Sequence, residues 1–288
     1  MLKRTVFLCV IAAHAHAALS GGAAPLVDLT VDSSTGAYSV SVVGSILSFE
    51  SAVTQVSDGG KVYSSAPGGG LTLSAHAEGS GSDVRGDYTA TNLTWTTASG
   101  NEFVTGFRAY ASAVVFTQHW PRGANGTATG TRDAVQSAFP AFTVAGEDGA
   151  RGYVSLSGSM IGDFHVGSWN DKTGGIAGGL AGGPVAVFDG NMTTAVLSPA
   201  SQFMASSFAY SKAATNGGGS GGGVLSAGVL GSVTSIPPGY STSFVLQAAA
   251  GFNSAWQQWG AALRADFGKT DALLDTDTTL TKLGYSTE

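Results

Sequence analysis

Few residues in this chain are of the types that carry out catalysis, and they are widely spaced. The histidines at positions 76, 119 and 165 stand alone, and no HExxH pattern joins two histidines on one helix face. A Ser-His-Asp hydrolase places its serine in a GxSxG turn between a strand and a helix. The segment 158–162 fails that pattern and lacks that context. The residues therefore predict neither a metal site nor a catalytic triad, and no cofactor is expected.

Carboxylate pairs are the next candidates for chemistry. Local pairs lie in Asp83–Asp87, in Glu147-Asp148 and in Asp275–Asp277. A glycosidase needs two carboxyl groups that face each other across about 5–9.5 Å. Neighbours in sequence rarely reach that geometry, and these acids sit beside Gly or Thr, where Asp favours turns. We expect solvated turn acids and no catalytic residue.

The segment Phe116–Gly123 is the most distinctive cluster of polar and aromatic residues, with Trp120 and Arg122 two positions apart. At a strand end, Trp120 can stack on a sugar ring while Arg122 hydrogen-bonds to it. The alternative is a hairpin corner in which Trp120 packs on the core and Pro121 ends the strand. Trp169 is a second candidate for carbohydrate binding, with the same alternative.

Three Asn-x-Thr sequons begin at Asn92, Asn125 and Asn191. In a eukaryotic secretory pathway these asparagines accept N-glycans. Asn125, in a Gly-containing turn, is the best acceptor, whereas Asn92 falls inside a predicted strand and is a weaker one. Chance is the alternative explanation, because a chain rich in Thr and Ser produces sequons without selection.

The composition favours a compact β-rich protein. Gly accounts for 43 of the 288 residues, about twice its usual share of about 7%. With 43% hydrophobic and only 11% charged residues, the chain collapses rather than remaining disordered. A net charge of −6 with 13 Lys and Arg residues gives no concentrated cationic face, so a nucleic-acid partner is not expected.

The first 17 residues have the pattern of a secretory signal peptide. Lys3 and Arg4 precede a short apolar run, and Ala15-His16-Ala17 matches a small-x-small cleavage site. The run is about half the roughly 20 residues of a membrane span, and Gly, Ser and Thr interrupt every later apolar stretch. The sequence predicts a secreted protein without a membrane span; a buried N-terminal helix is the alternative. Cleavage would remove Cys9, the only cysteine.

Apolar and polar residues alternate with a period of two along most of residues 18–252, which predicts strands. The predicted strands are 26–32, 38–42, 71–76, 87–96, 107–116, 152–156, 185–188, 194–197, 224–233 and 242–248. With Gly at the joints, this spacing predicts an all-β fold, a large antiparallel β-sandwich, rather than βαβ units. The tract Gly217–Gly223 is predicted to be a loop inside the domain.

The period changes at 253–268, which predicts a C-terminal α-helix. One apolar stripe runs along this helix and comprises Trp256, Trp259, Leu263 and Phe267. Asn253 is suited to cap its start, and Gly268 is suited to end it. We expect the stripe to dock on the sandwich and the tail, 269–288, to be loose from Leu280 onward.

Several segments resemble the N-terminal β-domain of raffinose synthases and α-galactosidase-like proteins. The segments that carry this resemblance are Gly86–Trp95, Tyr110, Val114–Gln118, Pro121–Gly123 and Ser137–Phe142. The C-terminal segments Trp259-Gly260, Leu280 and Leu283–Thr287 resemble the entry to the first barrel strand of secreted eukaryotic glycosidase-like proteins. The resemblance implies a β-supersandwich followed by a (β/α)₈ barrel that holds the catalytic aspartates. It assigns no catalytic residue to this chain, since the sequence ends where the barrel would begin.

The resemblance implies that the chain is the non-catalytic front of a secreted glycoside-hydrolase-like protein. Its expected role is to brace the barrel and contribute to carbohydrate binding, and the chain alone is expected to be inactive. The alternative is a free-standing secreted sandwich that binds carbohydrate or is structural. An enzyme complete within these residues is the third alternative.

Overall fold

The computed structural model describes residues 26–131, 134–144, 150–157, 164–170, 173–179, 182–212 and 222–269, with Thr278 and Lys282. Four predicted features lie wholly or mostly outside these residues: the signal peptide 1–17, the tail 269–288, the acids at 147–148 and 275–277, and most of Gly217–Gly223. The fold is all-β with a C-terminal α-helix, which confirms the predicted class.

The described residues form twenty strands and the helix α1, Phe252–Asp266. The strands are β1 Val27–Val31, β2 Tyr38–Val42, β3 Ser48–Glu50, β4 Gln55–Asp58, β5 Lys61–Ser64, β6 Leu71–Asp83, β7 Gly86–Thr97, β8 Glu102–Ala109, β9 Ala113–Trp120, β10 Ala124–Asn125, β11 Ser137–Ala138, β12 Ala141–Val144, β13 Arg151–Ser157, β14 Phe164–Ser168, β15 Gly182–Asp189, β16 Thr193–Pro199, β17 Ser206–Lys212, β18 Gly223–Val229, β19 Ser235–Ile236 and β20 Tyr240–Ala250.

A nine-stranded antiparallel sheet is the larger layer, with strand order β14-β13-β15-β16-β20-β9-β8-β7-β6. Three smaller sheets, β1-β2-β3, β11-β4-β5 and β12-β18-β17, form the facing layer, and β10 pairs with β19. In the strands that follow the predicted alternation, one side of the strand faces the space between the layers. In β9, for example, Val114 and Phe116 are fully buried while Thr117 is only half-buried. Strand β14 and most of β6 are exposed instead.

Aromatic rings and a few satisfied polar groups fill the space between the layers. Tyr38 of β2 packs edge-on against Phe107 and Phe142, with ring centroids 5.1 and 5.9 Å apart. Its hydroxyl donates to the carbonyl of Ala141 and accepts from the N–H of the same residue, at 3.1 and 2.8 Å. Burial raises the pKa of the Tyr38 hydroxyl, so it stays neutral in the core.

Gln118 joins the two layers by hydrogen bonds. Its side chain is fully buried in β9, and its Nε2 donates to the carbonyls of Phe139 and Ala227, the latter at 3.2 Å. Its Oε1 accepts from the Ser137 hydroxyl at 2.6 Å. A buried amide with all these partners ties the sheets together without leaving polar atoms unpaired.

The prediction of one strand over 107–116 is wrong. The chain turns at 110–112 between β8 and β9, and the Tyr110 N–H donates to the Ala113 carbonyl at 2.8 Å. No Gly or Pro marks this turn, so the alternation of apolar and polar residues continues across it and predicts a single strand. Phe107 and Phe116, assigned to the two ends of that strand, are cross-strand partners with ring centroids 5.8 Å apart.

Helix α1 lies on the face of the large sheet that is turned away from the core. Ala255 is fully buried against this face, and Trp256, Trp259 and Leu263 of the predicted stripe pack there. Phe267 lies beyond the helix end and remains 52% exposed. Within the described part of the chain, no helix has the length and apolar character to cross a membrane.

The ends of α1 differ in part from the prediction. The helix begins one residue before Asn253, its N-cap is Gly251, and no side chain caps it. At the other end Gly268 has a φ of 62° and the Lys269 N–H donates to the Arg264 carbonyl at 2.7 Å. This left-handed glycine ends the helix, as expected from the sequence.

An ion pair fastens the end of α1 to the tip of the β6–β7 hairpin. The Arg85 guanidinium donates to both carboxylate oxygens of Asp266, at distances of 2.6 to 3.1 Å. The side chains are only 7% and 24% exposed. Bidentate pairs of this kind fix orientation as well as adding energy.

Candidate ligand-binding cleft

The predicted carbohydrate-binding tryptophans lie in the core. Trp120 is 1% exposed and packs between Phe103 and Tyr240, with centroid distances of 5.0 and 5.7 Å. Trp169 is 2% exposed and packs on Tyr153 at 6.0 Å. Stacking on a sugar requires an exposed ring face, and neither tryptophan has one. Both residues therefore match the alternative interpretation, in which the tryptophan packs in the core.

Arg122 is the exposed member of the predicted cluster. Its side chain is 63% exposed, and its Nη2 lies 3.4 Å from a carboxylate oxygen of Glu102. With Trp120 turned into the core, the structure does not bring the two together as an aromatic platform and a neighbouring hydrogen-bond donor.

The three sequon asparagines are exposed at different places on the surface. Asn92 lies in β7, Asn125 in β10, and Asn191 in the turn between β15 and β16. All three side chains are accessible, and glycosylation stays a prediction.

One cluster of ionisable side chains lies beside the β6–β7 hairpin. Within the described ranges, no three His, Cys, Asp or Glu side chains converge as a metal site. Asp83 accepts from the Tyr110 hydroxyl at 2.7 Å and lies 3.5 Å from the Arg108 guanidinium. Burial, followed by the hydrogen bond to Asp83, raises the pKa of Tyr110. This cluster is a surface network beneath the β6–β7 tip.

Two adjoining clefts meet beside the turn between β1 and β2. The first has a volume of about 510 Å³ and the second about 500 Å³, and both are lined by Thr35 and Ser65. The first is completed by Gly36, Ala37, Ser51, Ala52, Val53, Thr143 and Val224. The second is completed by Ser34, Ala66, Pro67, Gly68, Gly70, Leu71, Thr72, Leu73 and Trp95. We call the two together the hydroxyl groove, because Ser and Thr supply its polar side chains.

The turn between β1 and β2 positions Thr35 between the clefts. Asp32 Oδ2 accepts from the Thr35 hydroxyl at 2.7 Å, and Asp32 Oδ1 accepts from the N–H and hydroxyl of Ser34 at 2.8 and 2.6 Å. These hydroxyl and backbone hydrogen bonds lower the pKa of Asp32 to about 2. The carboxylate is therefore ionised at neutral pH and holds the turn in place.

Gly36 and Trp95 form the floor beneath this turn. Gly36 has a φ of 76°, and a Cβ on it would lie 2.3 Å from the Trp95 ring. Trp95 is 2% exposed, and its Nε1 donates to the Thr105 hydroxyl at 2.9 Å. A side chain at position 36 would displace the indole, so the close approach of backbone and ring requires glycine.

Two serines present free donors to the groove. The Ser51 hydroxyl accepts from the Tyr38 N–H, and the Ser65 hydroxyl accepts from the Thr54 N–H, each at 3.0 Å. A hydroxyl has one donor and two acceptor sites, so each serine keeps its O–H for another partner. The groove can therefore hydrogen-bond a ligand without losing its own backbone contacts.

The lining residues set the chemistry of the groove. Those described include no Lys, Arg, His, Asp or Glu, so they offer no general acid, base or cation. Its side chains therefore offer neutral hydrogen-bonding groups and apolar surface. Sequence analysis missed it because Thr35, Ser51, Ser65 and Thr143 share no motif, and Ser and Thr are common throughout the chain.

Comparisons with known proteins show likeness in structure only. No protein-family model matches the sequence, and no curated protein sequence matches it. The α-N-acetylgalactosaminidase NagBb from Bifidobacterium bifidum, in complex with GalNAc, aligns with a TM-score of 0.56 and 11% identity. The alignment covers 86% of this chain and 38% of NagBb.

A second similar structure is a glycoside hydrolase family 97 enzyme from Pseudoalteromonas sp. strain K8 in complex with panose. It aligns with a TM-score of 0.52 and 12% identity, over 88% of this chain and 37% of the enzyme. The chain thus spans less than two fifths of either enzyme. At these identities the likeness establishes a fold shared with part of two glycosidases, while the resemblance to raffinose synthases stays a prediction.

Proposed function

We propose that this chain is a non-catalytic β-sandwich domain of a secreted glycoside-hydrolase-like protein, which braces a catalytic barrel domain. The observation that carries the proposal is the extent of the structural likeness. It takes in 86% of this chain but only 38% of an α-N-acetylgalactosaminidase. The aligned region is therefore one part of that longer enzyme, NagBb.

The contacts of three described acids support a non-catalytic role. Asp266 pairs with Arg85, and Glu102 lies beside Arg122. Asp189 accepts from the N–H groups of Asn191 and Thr193 at 2.9 and 3.0 Å. Carboxylates held in such contacts serve structure, whereas a glycosidase needs two that face a common substrate.

The packing of α1 on the large sheet supports a bracing role. The helix contacts both β16 and β20 near the middle of the large sheet, and the Arg85–Asp266 pair fixes its last turn. A helix held at several points is fixed relative to the sheet, as a rigid connection between two domains requires.

The alternative is a free-standing secreted carbohydrate-binding protein. The hydroxyl groove favours it, since a binding module needs a ligand site of its own and no catalytic partner. Both candidates predict a chain that does not cleave sugars, and they differ in whether a catalytic domain belongs to the same protein.

Hydrolysis assays test the non-catalytic role. Purified chain from residue 18 to residue 288 should release no nitrophenol above background from nitrophenyl α-galactoside, α-glucoside or α-N-acetylgalactosaminide. Activity that disappears when a carboxylate within this chain is replaced would overturn the proposal. A glycosidase assayed in the same buffer serves as the positive control.

A further inference from the structure

We infer that the hydroxyl groove binds a neutral oligosaccharide of two or more sugar units. The choice of a sugar as ligand rests on the proposed function, whereas the size, charge and hydrogen-bonding of the groove rest on its own residues. The groove lies apart from Trp120, Arg122 and Trp169, which do not line it.

The size of the groove indicates more than one sugar unit. Each cleft, at about 510 and 500 Å³, falls in the range of about 300–1,000 Å³ that holds a small-molecule ligand. The clefts meet at Thr35 and Ser65, which line both. A ligand that occupies both must be extended, with one unit in each cleft.

The absence of charged side chains from the described lining disfavours ionised ligands. Burying a charged group without a partner is costly, and the described lining residues include no charged side chain. Asp32, the carboxylate of the turn that holds Thr35, already accepts from the hydroxyls of Ser34 and Thr35. Nucleotides and sugar phosphates need cationic partners such as Arg, so an uncharged ligand fits best.

The hydrogen-bonding capacity of the groove matches sugar hydroxyls, each of which both donates and accepts. Ser51 and Ser65 accept from backbone N–H groups and keep their O–H donors. The Thr143 hydroxyl donates to the Glu50 carbonyl at 3.2 Å and keeps acceptor sites. Donors and acceptors therefore line the same cleft.

Val53 supplies the apolar contact that the C–H face of a sugar ring needs. Its side chain lines the first cleft and is 40% exposed. Covering a partly exposed valine with ligand carbon removes apolar surface from water, which favours binding. Trp95 contributes below the second cleft as a rigid floor, since its ring is almost fully buried.

Titration of the full chain with neutral trisaccharides tests the inference. Panose, cellotriose and a galactotriose are the probes, followed by ¹H–¹⁵N chemical-shift changes. At least one should bind saturably, with shifts centred on residues 34–37, 51–53 and 65–72. A trisaccharide that carries a glucuronate in place of one hexose should bind at least fivefold more weakly.

Two blocking variants and one matched control locate the site. Thr143→Tyr fills the first cleft and Ala66→Tyr narrows the second, and each should weaken binding at least tenfold. Thr89→Tyr makes the same change at an exposed Thr of strand β7 outside the groove and should leave affinity within twofold. Thermal unfolding of each variant confirms that it is folded.

Three results would overturn the inference. They are the absence of saturable binding with all three neutral probes, tighter binding of the glucuronate probe, and unchanged affinity in both blocking variants. None of these depends on hydrolysis. The inference and the proposed non-catalytic role therefore fail in separate assays.

Discussion

The Arg85–Asp266 pair should contribute measurably to the free energy that holds α1 on the large sheet. Its three hydrogen bonds of 2.6 to 3.1 Å join the β6–β7 tip to the last turn of the helix. Exposed ion pairs are worth about 0.2–1 kcal/mol, and hydrogen bonds to charged groups about 1.5–3 kcal/mol. With side chains 7% and 24% exposed, this pair lies between those limits, and we expect a coupling free energy of about 1–2 kcal/mol.

The two single substitutions should differ in cost. Arg85→Met leaves an acid at the C-terminal end of a helix, where a negative charge is unfavourable by about 0.3–1 kcal/mol. Asp266→Asn removes that unfavourable charge, but it leaves the Arg85 guanidinium, whose side chain is only 7% exposed, without its carboxylate partner. An unpaired buried charge is the larger cost. Asp266→Asn should therefore lower the free energy of unfolding more than Arg85→Met does.

A double-mutant cycle measured by urea unfolding gives the coupling, with tryptophan fluorescence as reporter. Two of the five tryptophans, Trp256 and Trp259, lie on the helix. The control cycle uses Arg122→Met and Glu102→Gln, whose side chains are 63% and 35% exposed with atoms 3.4 Å apart. Its coupling should stay below about 0.5 kcal/mol, as for exposed pairs. Equal coupling in the two cycles would refute the assignment of the Arg85–Asp266 pair as a fastening of the helix.

Three further predictions concern the core and the groove. Gln118→Ala leaves the Ser137 O–H without an acceptor and the Phe139 carbonyl without a donor. It should lower the free energy of unfolding by about 2–6 kcal/mol, at about 1–3 kcal/mol for each of the two buried groups. A loss below about 1 kcal/mol in urea unfolding would contradict this. Gly36→Ala should destabilise more than Gly44→Ala, since both glycines have φ near 77° but only a Cβ at position 36 meets a ring; equal midpoints of thermal unfolding would show that the contact does not matter. The Asp32 carboxyl should titrate near pH 2 by NMR. Because folding lowers its pKa, its contribution to the free energy of unfolding is complete above about pH 4 and is lost as the pH falls through 2. A titration midpoint near 3.8 would contradict the hydrogen bonds to Ser34 and Thr35.

The fold class followed from the sequence because strand alternation is a local signal. Strand β2 occupies residues 38–42, which is the predicted range, since its residues alternate cleanly between core and solvent. The turn at 110–112 carries no Gly or Pro, so the same signal joined β8 and β9 wrongly. The strand order of the large sheet depends on pairings between distant segments, such as β16 with β20, and local periodicity does not encode them.

The candidate site was not predictable in the same way. Trp120 and Arg122 stand out in sequence because aromatic and charged residues are uncommon in this chain, yet the alternation of β9 turns Trp120 into the core. The groove is instead built from common residues that the fold brings together, with Thr35 in one turn and Ser65 in another. Only the three-dimensional arrangement distinguishes these hydroxyls from the many that are simply solvated.

The claim that this chain is one domain of a longer glycoside-hydrolase-like protein is tested most directly by sequencing the full-length transcript past the codon for Glu288. We predict that the reading frame continues for about 250 residues or more with alternating strand and helix patterns, the length and pattern of a (β/α)₈ barrel. A stop codon directly after Glu288 would contradict the claim and favour a free-standing binding protein.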